Sequence, residues 1–367
     1  MMQSKLVMLK VAKGAPLETL SGIQNSDPRV YGRFVDPDGT RDIAYVLVHP
    51  TNNFMNHYLV EPLAQRGRAI LAMNTRYSGS DSMLIMERAI QDLGAGIRYL
   101  REEGFRKIVL VGNSGGGSLT AFYQQQAEKL TISDTPDGQP IDLKPEDLPP
   151  VDRLAILAAH CGRAATLTDS LDPAVIDERD PDRTNAAIDM YAPENRPPYD
   201  RDWLAVYRQE QKARNERLTQ HALKLVANAP AGDDAFIVYR TKADPRTLDL
   251  SIDPSDRGAG AIWGDARNVN REANGLGRFC TARSFLSQWS LRLTRAHGPR
   301  CLADTTIPIL NMGYAADQAV FPANVAEWKK AAGDRCTEYT VRGAAHYPQA
   351  KPELVEEIAS TLVDWGG

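Results

Sequence analysis

The fold is decided by residues 107–117, which read KIVLVGNSGGG. Residues 108–111 are an unbroken apolar run, and a run of this kind ahead of glycines predicts a buried strand. A Gly-x-Ser-x-Gly sequence follows at once, and a helical pattern begins directly after it. A serine on so sharp a strand-to-helix turn has a strained backbone and a projecting hydroxyl, and Gly112 and Gly116 remove the side chains that would collide there. Ser114 is therefore predicted to be a nucleophile.

Length and composition limit the classes of protein that the chain can represent. It has 367 residues, of which 43% are hydrophobic, so it can form a full core and is longer than one average domain. The formal net charge of -4 and the scattered basic residues argue against a nucleic-acid partner. The four cysteines lack the spacing of a disulfide scaffold or a zinc site, so reduced thiols are expected. These cysteines are Cys161, Cys280, Cys301 and Cys336.

The N-terminal residues 1–16 contain only a short apolar run, which Lys10 interrupts. This run is too short for the apolar region of a secretory leader. No uninterrupted apolar stretch of the sequence is long enough to cross a bilayer. We therefore expect a cytoplasmic protein with no membrane partner.

Strand-like and helical patterns alternate along both ends of the chain. Strands are predicted at residues 43–48, 68–73, 108–111, 154–159, 307–312 and 337–341. Helices are predicted at residues 56–65, 83–101, 118–130, 325–332 and 351–365. This alternation predicts an α/β fold with a mostly parallel central sheet and helices on both faces.

The alternation breaks in residues 162–300, which are polar and rich in arginine and aspartate. Helices are predicted there at 203–226 and 285–295, with a short strand at 236–239. A structureless loop of this length is implausible in a compact domain. We therefore predict a largely helical subdomain at residues 162–300, inserted into a core formed by residues 1–161 and 301–367.

A serine hydroxyl needs a base to accept its proton and a carboxylate to orient that base. Asp317 follows the predicted strand at 307–312, and His346 follows the one at 337–341. Their order after the serine is the one expected on a parallel sheet with this type of turn. His346 is thus the predicted base and Asp317 its partner, while Asp169 and Asp172 remain rival carboxylates.

An acyl-transfer reaction also needs N–H donors for the oxyanion that develops. The amide of Gly115, which follows the nucleophile, is the first predicted donor. The second is expected from the loop at residues 49–53, with the Thr51 amide as first choice and the Asn52 amide as second.

Four further residues are predicted to line the substrate pocket, because they lie at the same ends of strands as the residues above. They are His49, Asn113, His160 and Cys161. The histidines His49, His57 and His160 could converge as metal ligands, but they lack motif spacing. The glycines match neither a P-loop nor a dinucleotide fingerprint. We therefore expect no metal and no cofactor.

These features together resemble the α/β-hydrolase superfamily. The resemblance is carried by residues 112–116, the segment around Asp317, residues 343–347 and the loop at 49–51. It implies the α/β-hydrolase fold, a serine hydrolase activity of the esterase or lipase kind, and a cap or lid where the inserted stretch lies. The sequence departs from the superfamily at Pro50, where a glycine is usual, so the loop is stiffer and has one N–H fewer.

The resulting expectation is an enzyme that hydrolyses a carboxylic ester or lactone of a small molecule through an acyl-enzyme. Amide hydrolysis, carbon–carbon bond hydrolysis and acyl transfer use the same catalytic parts and remain alternatives. A non-catalytic ligand-binding protein on the same scaffold is a further alternative. The sequence leaves the oligomeric state open, a homo-oligomer included.

Overall fold

The structure is a computed structural model that describes residues 3–11, 17–19, 22–24 and 28–367. The strands of this described part are β1 (Gln3–Lys10), β2 (Leu17–Thr19), β3 (Gly22–Gln24), β4 (Arg29–Asp36), β5 (Ile43–His49), β6 (Ala69–Asn74), β7 (Lys107–Asn113), β8 (Arg153–Leu157), β9 (Ala235–Ile237), β10 (Phe279–Thr281), β11 (Ile309–Tyr314) and β12 (Cys336–Val341). Its helices are α1 (Val60–Gln65), α2 (Met86–Glu102), α3 (Gly116–Glu128), α4 (Arg163–Ser170), α5 (Arg201–Asn228), α6 (Ala266–Arg271), α7 (Ala282–Ser284), α8 (Gly298–Ala303), α9 (Pro322–Ala332) and α10 (Pro352–Gly366).

Within the described residues, the central sheet has eight strands in the order β1-β4-β6-β5-β7-β8-β11-β12. The pairs from β6 to β12 are parallel, whereas β4 pairs in antiparallel fashion with β1 on one side and with β6 on the other. The predicted mostly parallel sheet is therefore confirmed. Its carboxyl edge gathers the loops that follow β5, β7, β8, β11 and β12.

The sheet is covered on both faces, as its apolar strands require. In β5, Ala44, Val46 and Val48 pack into one core, while Tyr45 and Leu47 pack into the other. Helices α2, α3, α8 and α9 cover the first core, and α1 and α10 cover the second. Because successive side chains of a strand point to opposite faces of the sheet, one continuous apolar sequence contributes to both cores.

Two predicted helices differ from the structure, and two strands were not predicted. The segment predicted as a helix at 56–65 begins with turns, and helix α1 begins only at Val60. The segment predicted as a helix at 285–295 is a π turn over Phe285–Trp289, closed by a 2.8 Å bond from the Ser290 amide to the Phe285 carbonyl. Strands β1 and β4 were not predicted, because as an edge hairpin they alternate buried and exposed residues.

Part of the N-terminal stretch considered above forms β1, while its residues 1–2 and 12–16 lie outside the described part of the chain. None of the helices within the described residues combines the length and hydropathy that a bilayer span requires.

Much of the polar middle segment packs on itself. Two apolar clusters draw their members only from residues 167–289, and their largest buried side chains are Tyr207, Phe285 and Trp289. Helix α8, in contrast, packs on α3 in the core of the sheet. The segment with its own cores therefore ends ahead of α8, a few residues before the predicted boundary at residue 300.

The turn after β7 leaves no room for side chains. A Cβ on Gly112 would lie 2.4 Å from Thr120 Oγ1, 2.7 Å from Gly117 Cα and 2.8 Å from the Gly116 carbonyl. Two of these atoms belong to the backbone, so no side-chain rotation relieves the collision. The first turn of α3 therefore packs directly against the end of β7.

We expect Gly112→Ala to lower the free energy of unfolding by about 1–3 kcal/mol, because it overpacks this turn. The matched control is Gly258→Ala, since a Cβ on Gly258 has its nearest neighbour at 4.0 Å. Urea denaturation of both variants measures the difference. Equal midpoints for the two variants would contradict the tight contact between β7 and α3.

Candidate active site

Ser114 lies in the turn between β7 and α3, at the carboxyl edge of the sheet. Its φ of 55° is in the left-handed region, which only a constrained turn imposes on a serine. The amide of Ser114 donates a 3.0 Å bond to the Leu157 carbonyl at the end of β8, and α3 begins two residues later. The neighbouring strand and helix therefore fix the turn on which the hydroxyl is predicted to project.

Ser114, His346 and Asp317 form one hydrogen-bonded chain. The Nδ1 atom of His346 is 2.7 Å from Asp317 Oδ2, and its Nε2 atom is 3.0 Å from Ser114 Oγ. A carboxylate only accepts, so Nδ1–H donates to Asp317 and Nε2 is left to accept from the serine hydroxyl. Three loops that are far apart in sequence therefore place an imidazole within bonding distance of the hydroxyl.

Asp317 is fixed by its own loop and is almost fully buried. Its Oδ1 atom accepts bonds from the amides of Ala319 (2.7 Å) and Val320 (3.0 Å), which leaves Oδ2 for the imidazole. The rival carboxylates have other partners: Asp169 pairs with Arg246, and Asp172 accepts from Asn270. Among the three predicted carboxylates, Asp317 is the one that contacts His346.

The loop after β5 is arranged differently from the predicted oxyanion loop. The amides of Thr51 and Asn52 both donate to Nδ1 of His49, at 3.1 and 2.8 Å. An Nδ1 atom that accepts two N–H bonds carries no proton, so a neutral His49 carries its proton on Nε2. Both amides are therefore bonded within the loop, and the Nε2–H donor of His49 faces the turn that contains Ser114.

The imidazole of His49 occupies the space that Gly115 leaves open. A Cβ on Gly115 would lie 2.7 Å from His49 Nε2 and 3.5 Å from His160 Nε2. The Gly115 amide donates no hydrogen bond within the described residues, and it stands one residue ahead of α3. The predicted first donor is thus free, and a histidine N–H lies beside it.

Burial keeps the histidines around this loop uncharged. Desolvation holds the pKa of His49 well below its usual range, with further lowering by the Arg163 charge. Desolvation likewise lowers the pKa of His57 to about 4 and that of His160 to about 3. At neutral pH the three imidazoles are therefore neutral.

Ser114 and His346 open into a cavity of about 280 Å³. Four residues of the predicted site also line it, namely His49, Thr51, Asn52 and His160. Two predicted pocket residues do not, because their side chains bond elsewhere. The Asn113 amide donates to the Leu157 carbonyl at 2.8 Å and accepts from His57, while the Cys161 thiol lies against Asn324.

The charged lining of this cavity was not predicted from the sequence. These residues are Asp81, Arg163, Asp169, Lys242, Asp244 and Arg246, and only Asp169 was considered before, as a rival acid. Most of them come from the polar middle segment, where no motif distinguishes a buried charge from a solvated one. A buried Asp-Pro-Arg sequence at residues 244–246 is the only local signal, and it is weak.

No group of three or more His, Cys, Asp and Glu side chains suited to a metal ion occurs in the described part of the chain.

Comparison with known proteins bears on the fold. No family model matches the sequence, and no curated protein matches it significantly. The chain is similar to the esterase domain of a Rhodothermus marinus protein, at 14% identity over 99% of this chain and 97% of that one, with a TM-score of 0.50. It is also similar to the alpha/beta hydrolase GrgF from Penicillium sp. sh18, at 10% identity over 99% and 98% of the two chains and a TM-score of 0.53. A third similar structure is the hypothetical protein PA2218 from Pseudomonas aeruginosa, at 13% identity over 98% and 94% and a TM-score of 0.51. The chain therefore has the α/β-hydrolase fold, as predicted.

The His49 geometry predicts its tautomer. In ¹⁵N spectra of histidine-labelled protein at neutral pH, we expect His49 to be the Nε2–H tautomer, because its depressed pKa keeps it neutral and its Nδ1 atom accepts two amide bonds. The spectrum of a His49→Gln variant assigns the signal. A proton on Nδ1, or a positive charge at neutral pH, would contradict the arrangement of the loop.

Proposed function

We propose that this protein is a serine hydrolase that cleaves a carboxylic ester or lactone through an acyl-enzyme. The observation that carries the proposal is the chain of contacts from Asp317 through His346 to Ser114, with 2.7 and 3.0 Å between the bonded atoms. This chain ends on a hydroxyl that faces a cavity of about 280 Å³. A buried base, its orienting carboxylate and a strained, exposed hydroxyl are the parts that nucleophilic acyl transfer requires.

In the first half of the reaction, Ser114 Oγ attacks the carbonyl carbon of the substrate. His346 Nε2 takes the hydroxyl proton as the new bond forms, and Asp317 stabilises the imidazolium that results. The tetrahedral intermediate collapses when His346 returns this proton to the leaving oxygen. The products are a free alcohol and an acyl group on Ser114.

Two donors are assigned to the oxyanion. The first is the Gly115 amide, which has no other acceptor among the described residues and lies at the N-terminus of α3, where the helix dipole favours negative charge. The second is the Nε2–H of His49, in place of the Thr51 or Asn52 amide, because both amides are bonded to the same imidazole. Fixed donors of this kind need no reorganisation when the oxyanion forms.

In the second half, a water molecule takes the place of the alcohol. His346 removes a proton from this water, the hydroxide attacks the acyl carbon, and Ser114 regains its proton from His346 as the acid departs. All of these steps use side chains and amides of the protein, so the proposal includes no cofactor.

Residues 163–297 are proposed as a cap over this site. They contribute Arg163, Lys242, Arg246 and Trp263 to the cavity lining, whereas the nucleophile, base and acid follow strands of the central sheet. The enclosed volume suits a small molecule rather than a polymer. An esterase domain is among the similar structures of this fold, so the scaffold accommodates ester hydrolysis.

Labelling with a fluorophosphonate probe tests the nucleophile. We expect wild-type protein to be labelled on Ser114 and Ser114→Ala to lose the label. The control is Ser170→Ala, which removes a second serine of the same cavity and leaves the label in place. Mass spectrometry of the labelled peptide identifies the site. Undiminished labelling of Ser114→Ala would contradict the proposal.

Kinetics with short-chain nitrophenyl esters test the base, the acid and the product. We expect Asp317→Asn to lower kcat by about 10⁴-fold, because the imidazole loses its orienting charge and adopts the wrong tautomer. Product analysis with added alcohol or amine separates hydrolysis from acyl transfer. A kcat of Asp317→Asn close to that of the wild type would refute the assigned acid.

The second oxyanion donor has its own test. We expect His49→Phe to lower kcat by about 10²- to 10³-fold with a smaller effect on KM, the cost of losing one oxyanion donor. The matched control is His57→Phe, a half-buried histidine nearby, which bonds to Asn113 and does not line the cavity. An equal loss in the two variants would indicate damage to the loop rather than a missing donor.

A further inference from the structure

The cavity of Ser114 contains one cation without an anionic partner. Its lining includes the carboxylates of Asp81, Asp169 and Asp244, and its cations are Arg163, Lys242 and Arg246. Among the described residues, Lys242 Nζ makes no hydrogen bond and no ion pair. The ammonium group lies over the ring of Trp263.

Arginines already neutralise the three carboxylates. Arg163 pairs with Asp81 at 2.6 Å, and Arg246 pairs with Asp169 at 2.7 Å. Asp244 is bonded twice, by Arg246 at 2.6 Å and by Arg208 from behind the cavity at 2.8 Å. Three arginines therefore match three carboxylates, and the charge of Lys242 is left over.

The position of Lys242 is fixed although its charge is unpaired. Its amide donates to Asn270 Oδ1 at 3.0 Å, and its carbonyl accepts from the Tyr191 hydroxyl at 3.0 Å. The next residue, Ala243, donates its amide to the Ser170 carbonyl at 2.8 Å. Lys242 is only 8% exposed and lines the cavity, so it is a preorganised donor rather than a flexible surface lysine.

We infer that Lys242 binds a carboxylate of the substrate, so that the natural substrate is an anionic ester. The inference rests on the proposed function and names its substrate class. A single surplus positive charge matches a monoanion, whereas a dianionic phosphate would face the carboxylates of Asp81, Asp169 and Asp244 with one charge unmatched. The carboxylate belongs to either the acyl part or the alcohol part of the ester.

The environment of Lys242 couples carboxylate binding to the protonation of its side chain. Burial lowers the pKa of its ammonium group to about 7, and the Arg278 charge contributes to the lowering. A bound carboxylate would favour the charged form and raise this pKa again. The Trp263 ring stabilises the ammonium on one side and leaves its other N–H donors for an anion.

The test compares pairs of esters in which one member carries an additional carboxylate group. On the acyl side, para-nitrophenyl hydrogen adipate is paired with para-nitrophenyl hexanoate. On the alcohol side, meta-carboxyphenyl butyrate is paired with phenyl butyrate. We expect wild-type protein to prefer the anionic member of at least one pair. In Lys242→Met, we expect kcat/KM to fall by about 10- to 100-fold for that anionic ester only, so that the preference is lost. This magnitude is the effect of one charge-assisted hydrogen bond.

Two variants control for the change in charge and shape. Lys242→Arg keeps the cation and is expected to keep most of the preference. Lys212→Met makes the same substitution on the exposed face of α5 and is expected to leave both pairs unchanged. An equal loss of kcat/KM for the neutral and anionic esters in Lys242→Met, or no preference in the wild type, would overturn the inference.

The two proposals fail in different ways. Hydrolysis that depends on Ser114 but ignores the carboxylate overturns the role of Lys242 and leaves the hydrolase intact. If no ester is turned over, calorimetry with adipamate, the monoamide of adipate, still tests Lys242. Adipamate is then expected to bind Ser114→Ala more tightly than Ser114→Ala/Lys242→Met, and equal or absent binding would refute the carboxylate site.

Discussion

The structure depends on one constraint, the left-handed turn that places Ser114 between β7 and α3. The turn is held from three sides: by the Ser114 amide on β8, by the contact of Gly112 with the first turn of α3, and by the space at Gly115 that His49 occupies. A side chain at either glycine would move the hydroxyl away from His346. The free-energy cost of the strained backbone at Ser114 is therefore offset by packing around the turn, as expected for a strained residue at a functional site.

His49 connects this turn to the neighbouring strand. Pro50 removes one amide from the loop, and the next two amides bond to the imidazole instead of facing the cavity. The same two bonds fix the proton on the nitrogen that lies beside Gly115. A loop that lacks the usual glycine can thus offer a side-chain N–H in place of a backbone N–H, provided that the imidazole stays buried and neutral.

The sequence predicted the parts of the molecule that follow from local patterns. Most of the parallel strands were found because they are continuous apolar runs, and His346 and Asp317 were found because each follows a predicted strand. Strands β1 and β4 were missed, because half-exposed strands have weaker patterns. The π turn at Phe285–Trp289 was predicted as part of a helix, because its sequence has no distinct periodicity. The use of the Thr51 and Asn52 amides could not be predicted, because it depends on the rotamer of one histidine. The cavity charges were missed because burial of a polar residue is decided by contacts between segments that are distant in sequence.

The two halves of the cavity have different physical characters, and this difference separates chemistry from recognition. On the side of the sheet, burial keeps His49 and His160 neutral, so the groups around Ser114 carry little charge before the reaction begins. On the opposite side, buried ion pairs fill the lining, and a buried pair is costly unless its geometry is fully satisfied. Such an ion pair holds Arg246 and Asp244 rigid and neutralises their charges. Lys242 makes no ion pair within the described residues, and this difference from the paired arginines is the reason for proposing that it discriminates between substrates.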